Sequence, residues 1–148
     1  MRITICGSIA FIDEMQEAKK QLEQIGHEVK TPPLEVNDEN GKPMPVKEYY
    51  LIRKATDSID GWIWDRKEEA MRNHFDKVLW AEAILILNHA KNEIEHYIGA
   101  NTLLEMGLAF HYRKKIYLFN PIPEISYKEE ILGMRPIIIN GDLNLIKI

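Results

Sequence analysis

Glu105 is the only charged side chain in the apolar stretch from Tyr97 to Tyr112. A helix of this composition belongs in a core, where an ionised carboxylate without a partner is costly. Two arrangements answer that cost. In one, Thr102-Leu-Leu-Glu105 is a capping box, with Thr102 as N-cap and Glu105 reaching back to its amide. In the other, Glu105 sits one turn into its helix and enters a ligand crevice, where low-dielectric surroundings raise its pKa. It is then a candidate nucleophile or acid/base. Spacing alone leaves both open.

Gly7-Ser8-Ile9 closes the first apolar run. Gly7 permits a tight turn and close backbone approach, and Ser8 places a hydroxyl where a sugar hydroxyl or phosphate could bind. A plain turn with a cap explains the same residues. His74 shares a helical face with Met71 and Val78, so it reads as a core histidine or a catalytic one. Asp76, two residues on, is turned roughly 200° away and reads as solvent-facing. Tyr49, Tyr50, Trp62 and Trp64 are of a type that stacks on nucleobases, Trp62 and Trp64 foremost because Gly61 suggests a mobile segment. The polar residues 88–96 include His89 and His96 but no recognisable metal spacing, and Cys6 reads as a buried structural thiol. No metal or cofactor is expected.

The elements that must position these groups follow from periodicity. Residues 2–6 and 27–31 read as strands, and 13–25 between them as a helix with Met15, Ala18, Leu22 and Ile25 on one face and Gly26 as its stop. Residues 32–45 are rich in Pro, Asn, Asp and Glu and read as a long loop of the lid or binding type. Helices are expected over 46–60 and 68–81, with Gly61 to Trp64 unassigned between them. Residues 83–87 form the most apolar run and read as a central strand buried on both sides. The Glu105 helix then ends near Lys114-Lys115, cations suited to its C-terminus. Strands at 116–119 and 136–140 flank a short helical piece at 126–132.

Alternating strands and helices imply one doubly wound α/β domain over residues 1–148, three layers with about five parallel strands of flavodoxin or Rossmann-like type. Ligands in such folds bind beyond the C-terminal strand ends, where Gly7, Ser8 and the start of the Glu105 helix fall. Composition agrees. The 148 residues are 45% hydrophobic and 28% charged, with a formal charge of −4 and no basic block interleaved with aromatics. A nucleic-acid polymer is therefore a poor partner, while a small nucleotide fits. One cysteine excludes an intrachain disulfide framework. The N-terminal apolar run is too short for a signal peptide and nothing approaches a membrane span, so the expected location is cytoplasmic.

Gly7-Ser8 after the first strand, Ala81-Glu82 opening the apolar 83–87 run, and Thr102-x-x-Glu105-x-Gly107 together resemble the nucleoside 2-deoxyribosyltransferase family, which includes the 2′-deoxynucleoside 5′-monophosphate N-glycosidases. The likeness runs from Arg2 to about Phe119. It implies a small nucleoside or nucleotide substrate, Glu105 as nucleophile on the sugar anomeric carbon, and a homodimer or larger homo-oligomer. By the same resemblance Gly7, Ser8, Ile9, Gly99 and Asn101 hold substrate, and His74 or Asp76 stands where a second acid is found. The sequence departs from the pattern at informative places. Gly99 replaces an Asp, Asn101 replaces a Gly, and Ala10-Phe11-Ile12 replaces the arginine and glycines that follow Gly-Ser-Ile in the monophosphate hydrolases. The alternative is a non-catalytic nucleotide-binding or signalling module of the same fold.

Overall fold

The computed structural model describes residues 1–59 and 61–147. In chain order the elements are β1 (Arg2–Cys6), α1 (Ile12–Gln24), β2 (Glu28–Lys30), β3 (Glu35–Asn37), β4 (Pro43–Pro45), α2 (Val46–Ala55), α3 (Trp62–Trp80), β5 (Ala83–Ile86), α4 (Ala100–His111), β6 (Lys115–Leu118), α5 (Lys128–Gly133) and β7 (Ile137–Ile138). Five strands pair in parallel in the order β2-β1-β5-β6-β7, and helices cover both faces. The doubly wound α/β fold is therefore present. Among the described residues, no helix is long and apolar enough to cross a membrane.

Alternating side chains divide the sheet between two cores. Ile3, Ile5, Ala83, Leu85 and Tyr117 pack with Phe11, Ile12, Met15, Ala18 and Leu22 on the α1 side. Cys6, Ile84, Ile86, Ile116 and Leu118 pack with Val78 of α3, Met106 and Ala109 of α4, and Ile131 of α5. β1 lies between β2, which follows it directly, and β5, which follows after the α2 and α3 excursion. The chain thus changes direction across the sheet between β1 and β5. A crevice opens at their C-terminal ends because the connections leave on opposite sides.

Two short devices hold that edge. Gly7 has φ +156, and a Cβ there would sit 2.8 Å from the Leu87 carbonyl oxygen and 3.1 Å from Met15 Cε. Asn88, fully buried, donates to the Asn120 and Pro121 carbonyls at 3.0 Å each and accepts from the Asn120 amide at 2.8 Å. It ties the loop after β5 to the loop after β6.

Several boundaries differ from the sequence expectation. Residues 32–45 are not an irregular loop: β3 and β4 form an antiparallel hairpin, Val36 opposite Met44. Asp38 closes its turn by accepting from the Asn40 and Lys42 amides. The helix expected over 46–60 ends at Ala55, and the last residue of that span, Asp60, lies outside the described residues. Trp62 to Trp64, unassigned and taken as mobile from the sequence, are the first turn of α3. Gly61 (φ +102) precedes that turn as its N-cap, the glycine marking a helix start. Lys114 does not serve its own helix. Its ammonium donates to the Leu79 carbonyl at 2.7 Å and to the Ala81 carbonyl, at the end of α3.

Gly7→Ala tests the close approach at the crevice. The added methyl clashes with the backbone of Leu87 at a φ that favours glycine, and the variant should lose about 1–3 kcal/mol. The expected reading is a lower urea midpoint with an unchanged m-value.

Candidate active site

A cleft of about 940 Å³ lies beyond the C-terminal end of β1, with Lys91 and Tyr97 of the loop after β5 along one side. Its walls come from the Gly7-Ser8-Ile9 turn, the β3 strand, α2, one stripe of α3, and the first turns of α4. Lys67 and His74 are seven residues apart on α3, which places both on the stripe facing α4. Asn101 and Glu105 stand four apart on α4 and face back.

The capping box does not form. Helix α4 starts at Ala100 with Gly99 as its N-cap, so Thr102 lies inside the first turn and Glu105 in the second. Instead of reaching back to a helix amide, Glu105 accepts from Asn101 Nδ2 at 3.0 Å, and the Cys6 thiol lies close beside it. Its side chain is only 4% exposed. Burial pushes its carboxyl up to about 7, while the Cys6 thiol, the Lys67 ammonium and the Asn101 amide each hold it down in part. The carboxylate is therefore close to half-ionised at neutral pH, the condition for a nucleophile or an acid/base that must exist in both forms.

His74 Nε2 lies 3.9 Å from Glu105 Oε2, and both side chains are buried. Burial first, and the Lys77 ammonium second, lower the imidazole to about 4, with the nearby Ile5 backbone offsetting part of the shift. At neutral pH His74 is neutral, so this contact is polar rather than ionic. Neither ring nitrogen makes a hydrogen bond of good geometry. Cys6 completes the group. Burial, then the adjacent Glu105 carboxylate, raise its thiol well above the usual range. One donor atom each from Cys6, His74 and Glu105 lies within 4.8 Å of the others.

The remaining sequence candidates divide. Gly7, Ser8, Ile9, Gly99 and Asn101 all line the cleft, as do His74 and Asp76. Although a turn of roughly 200° separates His74 from Asp76 on the helix, the cleft is wide enough to reach both. They differ in depth, His74 being buried beside Glu105 and Asp76 exposed. Ser8 Oγ accepts from the Ala10 amide at 3.2 Å and from Lys91 Nζ at 2.8 Å, so Ser8 is both a cap and a cleft group. Tyr49, Tyr50 and Trp64 line the cleft. Trp62 instead packs its ring on Tyr49 at a centroid distance of 6.0 Å.

Three site residues escaped the sequence reading. Lys67 sits in the cleft, and burial first, with the Arg53 cation next, lowers its ammonium to about 8 while Glu105 opposes the shift. Its spacing of seven from His74 was the available signal. Lys91, one of the polar 88–96 residues weighed as a source of the missing acid, reaches Ser8 instead. Cys6 was read as structural, and no local pattern pairs a strand cysteine with a carboxylate so distant in the chain.

The buried Glu105 carboxyl makes stability depend on pH. Its pKa is raised from 4.5 to about 7, so its favourable contribution is fully present below pH 4.5 and is lost as pH rises through 7. That shift corresponds to about 3 kcal/mol. Between pH 4.5 and pH 8 the stability difference between Glu105→Gln and the parent should move toward the variant by about that amount. Urea titrations at both pH values measure it.

No family model matches the sequence, and no curated protein matches it. Among solved structures, a 2-deoxyribosyltransferase from the psychrotolerant bacterium Bacillus psychrosaccharolyticus aligns over 100% of this chain and 97% of its own, with a TM-score of 0.57 and 15% identity. A Clostridium botulinum CMP N-glycosidase, BcmB, aligns over 95% of this chain and 90% of its own, with a TM-score of 0.48 and 17% identity. The chain shares the fold of the 2-deoxyribosyltransferase along its whole length.

Proposed function

We propose that this protein cleaves the N-glycosidic bond of a (deoxy)nucleoside or nucleoside monophosphate, or transfers its sugar, with Glu105 as nucleophile. The observation that carries the reading is the Glu105 carboxyl itself, buried at the crevice between β1 and β5 and raised to about 7. Its place in Thr102-x-x-Glu105-x-Gly107 and the shared fold support it.

In the proposed reaction a Glu105 oxygen attacks C1′ as the bond to the base breaks through an oxocarbenium-like transition state. The base leaves with the bonding electron pair and takes a proton, and a glycosyl ester remains on Glu105. Water then gives hydrolysis, and a second base gives transfer. Lys67 is the proposed proton donor. It lines the same cleft, its field acts on Glu105, and a pKa of about 8 suits a general acid near neutral pH. Asn101 and the Cys6 thiol orient the attacking carboxylate. Gly7, Ser8, Ile9 and Gly99 lie along the sugar and phosphate side, and Tyr50 and Trp64 offer ring faces for the base.

Charge favours a phosphorylated substrate. The cleft is lined by Arg53, Lys54, Arg66, Lys67, Lys77 and Lys91 against Glu35, Glu69, Asp76 and Glu105, an excess of cations on a chain of net charge −4. Lys91, from the loop after β5, reaches Ser8 with its Nζ and brings a cation to the turn after β1. We read the chain as a single domain that works as a homodimer or larger homo-oligomer. The competing reading, a nucleotide-binding or signalling module without catalysis, draws on Gly99 in place of a second carboxylate.

Chromatographic assay for free base over a panel of nucleosides and their 5′-monophosphates decides between them. Release is expected from wild type, faster from monophosphates, and abolished in Glu105→Gln with the fold intact. Wild type that binds these ligands yet releases no base, even with acceptor bases added, sinks the enzyme reading.

The pH profile supplies a separate check on the roles. Release should rise as Glu105 ionises through about 7 and fall as Lys67 deprotonates above about 8. Lys67→Met should lower the rate and remove the falling limb. An unchanged limb would exclude Lys67 as the acid.

A further inference from the structure

We propose that Cys6, His74 and Glu105 form a binding site for a divalent cation of the borderline-soft class to which zinc belongs, seated on the nucleophile. The donor set is a thiol, an imidazole and a carboxyl, the three side-chain types that bind this class of ion. They come from β1, α3 and α4, elements fixed by the sheet and by the packing of α3 on α4. The donor atoms lie within 4.8 Å of one another, and His74 Nε2 is already 3.9 Å from Glu105 Oε2. Ligands around a tetrahedral zinc are separated by roughly 3.3–3.8 Å. A contraction of about an ångström brings the donors to those separations.

His74 is the independent sign of a ligand. Its side chain is 8% exposed, and neither ring nitrogen makes a hydrogen bond of good geometry, the Ile5 backbone offering only a poor one. A buried imidazole without a good partner is costly, and a cation at this position supplies one. His74 and Glu105 also line the cleft, from which water or another ligand can approach the ion. Three protein ligands with an open position is the pattern of an accessible zinc site.

Binding exchanges protons for metal. The Cys6 S–H bond breaks and its proton passes to buffer, and any proton on Glu105 follows, so thiolate and carboxylate together neutralise the dication. No electron moves. Metal and substrate then compete for the same carboxylate oxygen, and a bound ion blocks attack on C1′. This last consequence rests on the reaction proposed above, whereas the binding itself does not.

Cobalt(II) titration of the untagged, metal-free full chain tests the site directly. One equivalent is expected to bind with a thiolate-to-cobalt charge-transfer band and the visible bands of a four-coordinate ion. One equivalent of zinc(II) should displace it. Cys6→Ser should remove the charge-transfer band and His74→Ala should weaken binding, each variant first shown folded by circular dichroism. A cobalt spectrum without the thiolate band in wild type overturns the proposal without recourse to any variant. Zinc affinity undiminished in both variants overturns it too. Base release that proceeds at full rate in the zinc-loaded protein overturns the blocking consequence alone. Zinc bound as described to a protein that releases no base leaves the site standing and removes the reaction.

Discussion

Keeping a carboxyl group out of water without a full counter-charge is the constraint around which this molecule is arranged. A buried Glu105 is tolerable because its protonated form is accessible, because Asn101 donates to it, and because the Cys6 thiol abuts it. Each neighbour requires something of the fold. Cys6 must be the last residue of β1, so that the turn at Gly7 can lead away past Leu87 without a side chain. His74 must lie on the stripe of α3 that packs against α4. The parallel sheet then fixes all three relative to one another, since the strands carrying and flanking them are buried on both faces.

The same burial sets the electrostatic character of the cleft. Low dielectric magnifies the influence of the cations that line it, and these cations also depress one another, as the response of Lys67 to Arg53 and Lys54 shows. A chain that is acidic overall thus presents a cationic concavity, the local field departing from the net charge in sign. Net charge argues about polymers and solubility; it says little about a crevice a few residues across.

Much of the frame was legible in the sequence because it depends on local periodicity. The apolar runs ending at Cys6 and near Leu87 gave strands, and Met15, Ala18 and Leu22 gave the buried face of α1. What local patterns misread were elements whose reasons lie elsewhere in the chain. The hairpin of β3 and β4 is made of prolines and polar residues, and its pairing stems from Asp38 closing a turn rather than from strand propensity. Trp62 looked like a break because it follows glycine, yet it packs on Tyr49 of α2. Thr102 fitted a capping motif by spacing, but the strand ends set where α4 begins, one turn earlier at Gly99. The position of Glu105 was legible, its company was not: Cys6 reaches it from the sheet and His74 through the packing of α3 on α4.

The excursion between β2 and α3 has a consequence for how such a molecule can change over generations. Its hairpin and α2 wall the cleft while pairing with no strand of the central sheet. Insertions, deletions and substitutions there can therefore reshape what the cleft admits without disturbing the strands that hold Glu105. Ligand selectivity and the reacting carboxyl are carried by separately mutable parts of one chain, which gives the fold an evolvable roof over a conserved-geometry floor.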